Sequence, residues 1–498
     1  MGRCILGIDQ STQGTKVLLF DARGDVIKRL DKPHRQYVDA RGWVEHDPEE
    51  IWENLKELVV ALLQETRTAA RDIAAIGISN QRETALAWDK ATGKSIYHAI
   101  VWQCARGAQI CTELEEKGCG DRIRQVTGLP LSPYFSAAKL AWILRHVEGA
   151  RKLMAAGRLA MGTMDSWLVY KMTGGRRFQT DASNASRTQL FDIEKLQWSE
   201  EVAGLFGIET AALPLVTDSD GDYGETDFDG LLDRKIPIRG VLGDSHAALF
   251  GQGCHRPGLA KATYGTGSSV MMNVGAEPVR SAHGLVTSLA WSLGGRPEYV
   301  LEGNINYTGA AISWLKDDLK LIASAGETEA LARAAHPEDK SYFVPAFTGL
   351  GAPYWESGAT GLFTGLTRVT GKREMVRAVL DAIAYQINDI VSLMQEESGH
   401  QLPALYVDGG PTKNGYLMQR TADIIAARVE VPDVEELSAM GAAYVAGIAA
   451  GLYERREVFA RGKRRAFSPQ LSAAKRAALI AGWRAAIRQV LSAARKPQ

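Results

Sequence analysis

The chain has 498 residues, 45% hydrophobic and 23% charged, which excludes a disordered polymer and leaves room for two or three domains. Lys+Arg 58 balances Asp+Glu 58, so the formal net charge is +0 and no basic excess marks a dedicated nucleic-acid binder. Gly 50 is about a tenth of the residues against a usual ~7%, so where the glycines sit becomes the first question.

In chain order, Ile5–Asp9 reads as a strand, Gln10–Thr15 as a Gly/Ser/Thr turn and Lys16–Asp21 as a second strand. A tight Ala-Arg-Gly-Asp turn leads to a third strand, Val26–Pro33. A helix follows over Pro48–Thr66, with Asp47 as N-cap and Ile51, Leu55, Leu58 and Leu62 at helical spacing. Ile73–Ile78 has the unbroken apolar pattern of a buried strand and ends in Ser79-Asn80-Gln81-Arg82-Glu83. A second unit is expected from about Ile236, with Ile238–Leu242 as a strand running onto Gly243-Asp244. Ala262–Val270 then repeats the order strand, turn, strand. Ala404–Val407 predicts another strand before a helix starting near Gly415, and Ala473–Ala494 a basic helix packed on the second half. Strands alternating with helices give an α/β class, and two weakly similar halves imply a cleft between them. The expected domains are 1–240 and 241–498.

Five cysteines at positions 4, 104, 111, 119 and 254 include no CxxC pair, so free thiols are expected rather than a disulfide framework or metal site. The apolar run near the N-terminus is too short for a signal-peptide core, and Gly441–Tyr453 is too short to span a bilayer. A cytoplasmic protein without membrane insertion is the expectation.

Four turns can carry chemistry. Asp9-Gln10-Ser11-Thr12-Gln13-Gly14-Thr15-Lys16 offers backbone N–H groups, hydroxyls and one ammonium to an anion, with Asp9 placed to hold a Mg²⁺ bridging phosphates. It lacks the GxxxxGK[ST] spacing of a P-loop. Tyr264-Gly265-Thr266-Gly267-Ser268-Ser269 has the same composition on the other half, so the two turns are expected to grip one triphosphate. Asp408-Gly409-Gly410-Pro411-Thr412-Lys413-Asn414 lets a flat ligand approach the backbone, or forms a plain strand–helix turn. Gly243-Asp244-Ser245-His246-Ala247 half matches a nucleophile elbow but lacks its last glycine; Asp244 is better suited to take a proton from a substrate hydroxyl. Gln81, Arg82, Glu83, Trp102 and Tyr134 supply hydrogen-bonding groups and aromatic faces suited to a polyhydroxylated ligand.

Longer segments bring in a family. Tyr134–His146, Phe347–Trp355, Gly162–Leu168, Asn184–Thr188 and Met440–Tyr444 resemble signatures of the FGGY carbohydrate kinases, most closely the glycerol kinase branch, and the similarity runs from about Ile5 to the C-terminal helix. The resemblance implies two actin-like (ribonuclease H-like) ATPase domains flanking a deep cleft, and transfer of the ATP γ-phosphoryl group to a sugar or polyol hydroxyl with Mg²⁺. It implies Asp244 as general base and Asp9 as the Mg²⁺ partner. Arg82, Glu83, Trp102, Tyr134, Asp244, Ser245 and Ser269 would line the polyol site. Ser11, Thr12, Gln13, Lys16, Gly265, Thr266, Gly309, Ser313, Gly410 and Asn414 would line the nucleotide site. The expected partner is a small polyol or sugar, with no nucleic acid; a homodimer and a homotetramer are both left open.

The chain departs from the glycerol kinase pattern at four positions. Ser245 stands for a Gln, Ser269 for a Phe, Cys104 for an Asp and Ser313 for a Gln. Two large residues becoming Ser predict a wider, more polar pocket and a four- or five-carbon polyol or ketose, with glycerol as the alternative substrate. A catalytically idle sugar-binding regulator is the reading from another class; Asp9, Lys16 and Asp244 all being present argues against it. An actin-like chaperone ATPase would need a peptide-binding module for which no residues remain.

Overall fold

The computed structural model describes residues 3–460 and 462–494. Its first domain is built on a sheet in which Cys4–Gln10 is central. Gly14–Phe20 and Val26–Pro33 follow as an antiparallel meander on one side. Ile73–Asn80 and then Ile236–Gly243 add in parallel on the other side. The second domain repeats this plan around Ala260–Tyr264: Ser268–Gly275 and Arg296–Ile305 form the antiparallel side, Ala404–Asp408 and Arg428–Pro432 the parallel side. Val286–Leu293 and Arg464–Phe467 extend its two edges. The shared strand order and polarity are those of two related actin-like halves.

The helix Pro48–Thr66 forms over its expected span, with the Asp47 carboxylate accepting from Glu49 N. The first domain also carries a second sheet that the sequence reading missed. It orders Leu159–Thr163, Ala85–Asp89, Ala99–Ile100, Val44–His46 and Gln36–Val38. Its strands are two to five residues long, too short to show a period.

One expectation about the domains needs correcting. Ile236–Gly243 was expected to open the second unit, with a break at 240/241. It pairs with Ile73–Asn80 and completes the first sheet, so that break would cut a strand. The reason is tertiary: the partner strand lies about 160 residues upstream, beyond any local pattern. Two helices each follow the fifth strand of their half, Asp244–Gly251 in the first and Leu437–Ala449 in the second, and they pack against each other. Leu437–Ala449 also lies on Cys4–Gln10, Ile73–Asn80 and Ile236–Gly243 of the first domain, so the junction is crossed by a helix of the second. Leu242, Leu249, Phe250, Ala443, Tyr444 and Val445 share the apolar cluster at this junction.

Candidate active site

Each half carries one of the Gly/Ser/Thr turns at the end of its central strand, Cys4–Gln10 in the first and Ala260–Tyr264 in the second. In the first, Ser11 N and Ser11 Oγ both donate to Gly14 O, at 2.9 and 3.0 Å, which closes the hairpin and leaves Thr12 and Gln13 at its tip. Thr12 Oγ1 accepts from Trp102 Nε1 at 3.0 Å, tying the expected phosphate turn to the expected polyol site. Asp9 is buried, and burial pushes its carboxyl up to about 6 although Lys16 and the Ser79 hydroxyl favour the charged form. Lys16 Nζ lies 3.6 Å from Asp9 and 2.9 Å from Glu436, which precedes the helix Leu437–Ala449. Burial opposes the lysine's charge, but the two carboxylates outweigh it and hold the ammonium above its ordinary range.

In the second turn Gly265 N donates to Gly267 O at 2.8 Å, and Gly265 and Thr266 carbonyls accept from Gly309 N and Ala310 N. A Cβ on Gly309 would stand 2.6 Å from Gly265 O, so this approach requires glycine. Thr266, Gly309, Ser313, Trp314 and Gly410 line an open concavity of about 500 Å³. Asn414 sits beside it, but its amide is committed to structure: Oδ1 caps Leu417 N at 2.9 Å and Nδ2 donates to Thr328 Oγ1 at 3.0 Å.

The residues expected to line the polyol site gather around a buried charge cluster. Asp244 begins the helix after Ile236–Gly243, with its side chain 34% exposed and Oδ1 3.3 Å from Arg82 Nε. Arg82 and Glu83 end the neighbouring strand's connection; Glu83 holds φ 59, a left-handed conformation that costs a non-glycine residue energy and persists where surroundings enforce it. Glu83 Oε1 accepts from Arg187 Nε at 2.6 Å. Trp102 and Tyr134 meet edge to face at 5.6 Å. The loop carrying Tyr134 is pinned by buried Lys139, whose Nζ donates to the carbonyls of Pro133, Tyr134 and Phe135. Ser269 points its hydroxyl to Glu302 Oε1 at 2.9 Å. Ser245 N donates back to Asp244 Oδ1 at 2.6 Å.

The sequence reading gave no role to Glu302, Arg187 or Glu436. Glu302 had one signal, a lone carboxylate inside the apolar run Tyr299-Val300-Leu301-Glu302-Gly303. Arg187 lay inside a family motif. Cys104, one of the four departures, is a buried free thiol that accepts from Arg106 Nε at 3.2 Å.

Among the described residues no cluster of three or more His, Cys, Asp or Glu could cage a metal. Mg²⁺ needs no such cluster where one or two carboxylates and substrate phosphates hold it and water completes the shell. Asp9, a carboxylate facing the first phosphate turn, suits the protein's share. Among the described residues no helix is long and apolar enough to cross a membrane.

Comparison with known proteins agrees with this architecture. The models of the FGGY family of carbohydrate kinases match residues 4–251 as the N-terminal domain and 260–450 as the C-terminal domain. Glycerol kinase 2 of Thermotoga maritima is 47% identical over 489 residues, covering 98% of each chain. Glycerol kinase of Caldanaerobacter subterraneus is 46% identical over 493 residues, covering 99% of each. The crystal structure of Plasmodium falciparum glycerol kinase with ADP superposes with a TM-score of 0.93 at 35% identity, over 98% of both chains. Ligand-bound xylulose kinase from Lactobacillus acidophilus shares the fold, with a TM-score of 0.87 at 22% identity. With both domain models matched in order and relatives aligned end to end, this chain belongs to the FGGY family of carbohydrate kinases, enzymes that use ATP and Mg²⁺ to phosphorylate an alcohol group.

Proposed function

We propose that this kinase phosphorylates glycerol or a close polyol, with Asp244 as the general base. The observation that carries the reading is the placement of Asp244: a partly exposed carboxylate at the end of the strand Ile236–Gly243, 3.3 Å from Arg82 Nε and separated from Asp9 and the first turn by the one intervening strand Ile73–Asn80. Kinship at 47% identity along nearly the whole chain supports glycerol as the acceptor.

Phosphoryl transfer asks mainly for positioning and charge neutralisation. Arg82 and Glu83 would hold neighbouring hydroxyls of the polyol, and the Trp102 and Tyr134 rings would cover its carbon chain. Asp244 would orient the attacking hydroxyl and take its proton as its oxygen bonds to the γ-phosphorus and the bond from that phosphorus to the ADP oxygen breaks, releasing ADP. Lys16 and the Thr12 and Thr266 turns would hold the phosphates from opposite domains. Asp9 would hold Mg²⁺, which would supply charge neutralisation on the transferring phosphate.

A second reading is a longer polyol or a ketose, and one observation favours it. Ser269 puts a small hydroxyl, already bonded to Glu302, where the family resemblance has an aromatic ring. Ser245 similarly replaces a longer amide. Initial rates with glycerol, erythritol, xylitol, ribulose and xylulose decide between them. The highest kcat/KM for glycerol supports the first reading; a four- or five-carbon substrate leading by tenfold or more overturns it. No substrate-stimulated ADP release from any of them would sink both.

A further inference from the structure

Glu302 belongs to the second domain, in the strand Arg296–Ile305, yet its charge serves the first. It is fully buried and its two oxygens take four contacts. Oε2 accepts from Arg82 Nη1 at 2.9 Å and lies 3.0 Å from Arg187 Nη1. Oε1 accepts from Arg82 Nη2 at 3.0 Å and from Ser269 Oγ at 2.9 Å. Burial opposes ionisation here, but Arg187 and Arg82 outweigh it and keep the carboxyl charged well below the usual range. The Arg82 pair is two-pronged, the geometry that fixes a guanidinium in both position and plane. It occupies both terminal nitrogens and leaves Nε to face Asp244 at 3.3 Å.

Without Glu302, Arg82 would lose its strongest partner, and Asp244 would be the nearest remaining carboxylate to receive its fork. Glu83 is already taken by Arg187 at 2.6 Å. An Asp244 clamped by a full guanidinium fork is a poorer proton acceptor and is turned from the cleft.

We infer that Glu302 is a positioning residue for phosphoryl transfer, one that holds Arg82 from the opposite domain so that Asp244 stays free to accept the proton. The inference rests on the reading of Asp244 as base and Arg82 as polyol contact. It places one determinant of catalysis in the nucleotide-side domain, so the polyol site is complete only when the two domains meet at this strand.

Glu302→Gln removes the charge at constant size, and Glu302→Asp keeps the charge on a shorter arm. In the full-length protein Glu302→Gln is expected to lower kcat by about 100-fold, the scale of a catalytic group displaced by an ångström. ADP affinity by calorimetry and KM for MgATP are expected to stay within about twofold, because Lys16 and the glycine turns are untouched. Glu302→Asp should recover at least a third of the lost activity on a logarithmic scale. Arg82→Lys, which cannot form the fork, should cost a similar factor, and the double variant Arg82→Lys/Glu302→Gln should add little to either. Full additivity, wild-type kcat in Glu302→Gln, or equal loss of turnover and ADP binding in both Glu302 variants would each overturn the inference. Asp244→Asn runs in parallel. If it retains turnover, the base assignment has failed and the inference fails with it; if it alone is inactive while Glu302→Gln is not, only the inference fails.

Discussion

At the residue scale, two aspartates with opposite exposure behave in opposite ways. Asp244 must be ionised and reachable, and removing its charge by Asp244→Asn is expected to cut kcat by about 10²–10⁴-fold, the usual share of a general base. Calorimetric ADP affinity should be unchanged; loss of ADP binding would assign Asp244 to the nucleotide instead. Asp165 has no such access. It is 0% exposed, and burial, with Asp181 adding repulsion, raises its carboxyl to about 6 although Thr163 and Thr180 hydroxyls both donate to it at 2.6 Å. The folded protein therefore binds this proton more tightly than the unfolded chain does. The stabilisation is fully present below about pH 4 and is lost as pH rises through 6. Relative to Asp165→Asn, the wild type should lose roughly 2–3 kcal/mol between pH 4 and 7. Urea melts of both proteins across that range test it, and a pH-independent difference would show that Asp165 is ionised throughout. The same contrast explains which site residues were legible. Asp9, Lys16, Gly265 and Asp244 announce themselves within turns of a few residues. Glu302 and Arg82 are 220 positions apart, and no local pattern records a partner at that distance.

At the element scale, the helix Leu437–Ala449 explains why small residues recur between Met440 and Gly447. It lies so close to the first sheet that a Cβ on Gly77 would stand 2.2 Å from Ala442 O. Gly441 is tighter against the partner helix, its added Cβ only 1.8 Å from Ala247 O. Neither atom can yield without moving backbone. Ser438 Oγ also donates to Asp244 O at 3.0 Å, so this helix borders the proposed base directly. Gly441→Ala is expected to destabilise the protein by about 1–3 kcal/mol, as overpacking does, and to lower Tm by several degrees in calorimetry. Gly204→Ala is the control: it lies in the helix Glu200–Leu205, nothing stands within 4 Å of its added Cβ, and alanine is the better helix former, so Tm should hold or rise. Equal effects at both positions would mean that the junction is not close-packed. The Ala/Gly composition of Gly441–Tyr453 was visible in the sequence as a run too short for a membrane; only the fold shows that its smallness is a packing requirement between domains.

At the scale of the whole molecule, two halves with one strand order meet along Val286–Leu293, where Leu289 N donates to Ser186 Oγ at 3.1 Å and Ser292 Oγ to Asp218 Oδ1 at 2.6 Å, and at two further kinds of contact. One is the apolar helix pair Asp244–Gly251 and Leu437–Ala449; the other is ionic, with Lys16 and Arg29 on Glu436 and Arg82 and Arg187 on Glu302. A rigid-body rotation that keeps these contacts is expected to turn about an axis near the helix pair and Glu302. Such a rotation is expected to bring the Gly265–Gly267 and Gly409–Gly410 turns toward Thr12 and Gln13, which would close the two proposed phosphate turns on one triphosphate and expel water that would otherwise hydrolyse it. The motion is small for the chain as a whole, because the sheets move as bodies and the tied points stay put. A chain of 498 residues has an expected radius of gyration of about 23 Å when compact. Small-angle scattering with a non-hydrolysable ATP analogue and the preferred polyol together should reduce that radius by a few per cent, with either ligand alone giving less. Glu302→Gln should weaken the tie on the substrate side and blunt the polyol-dependent part of the change while leaving the nucleotide-dependent part. Scattering curves that superpose in all ligand states would place the two domains in a fixed relation, and water exclusion would then have to come from loop movements within each half.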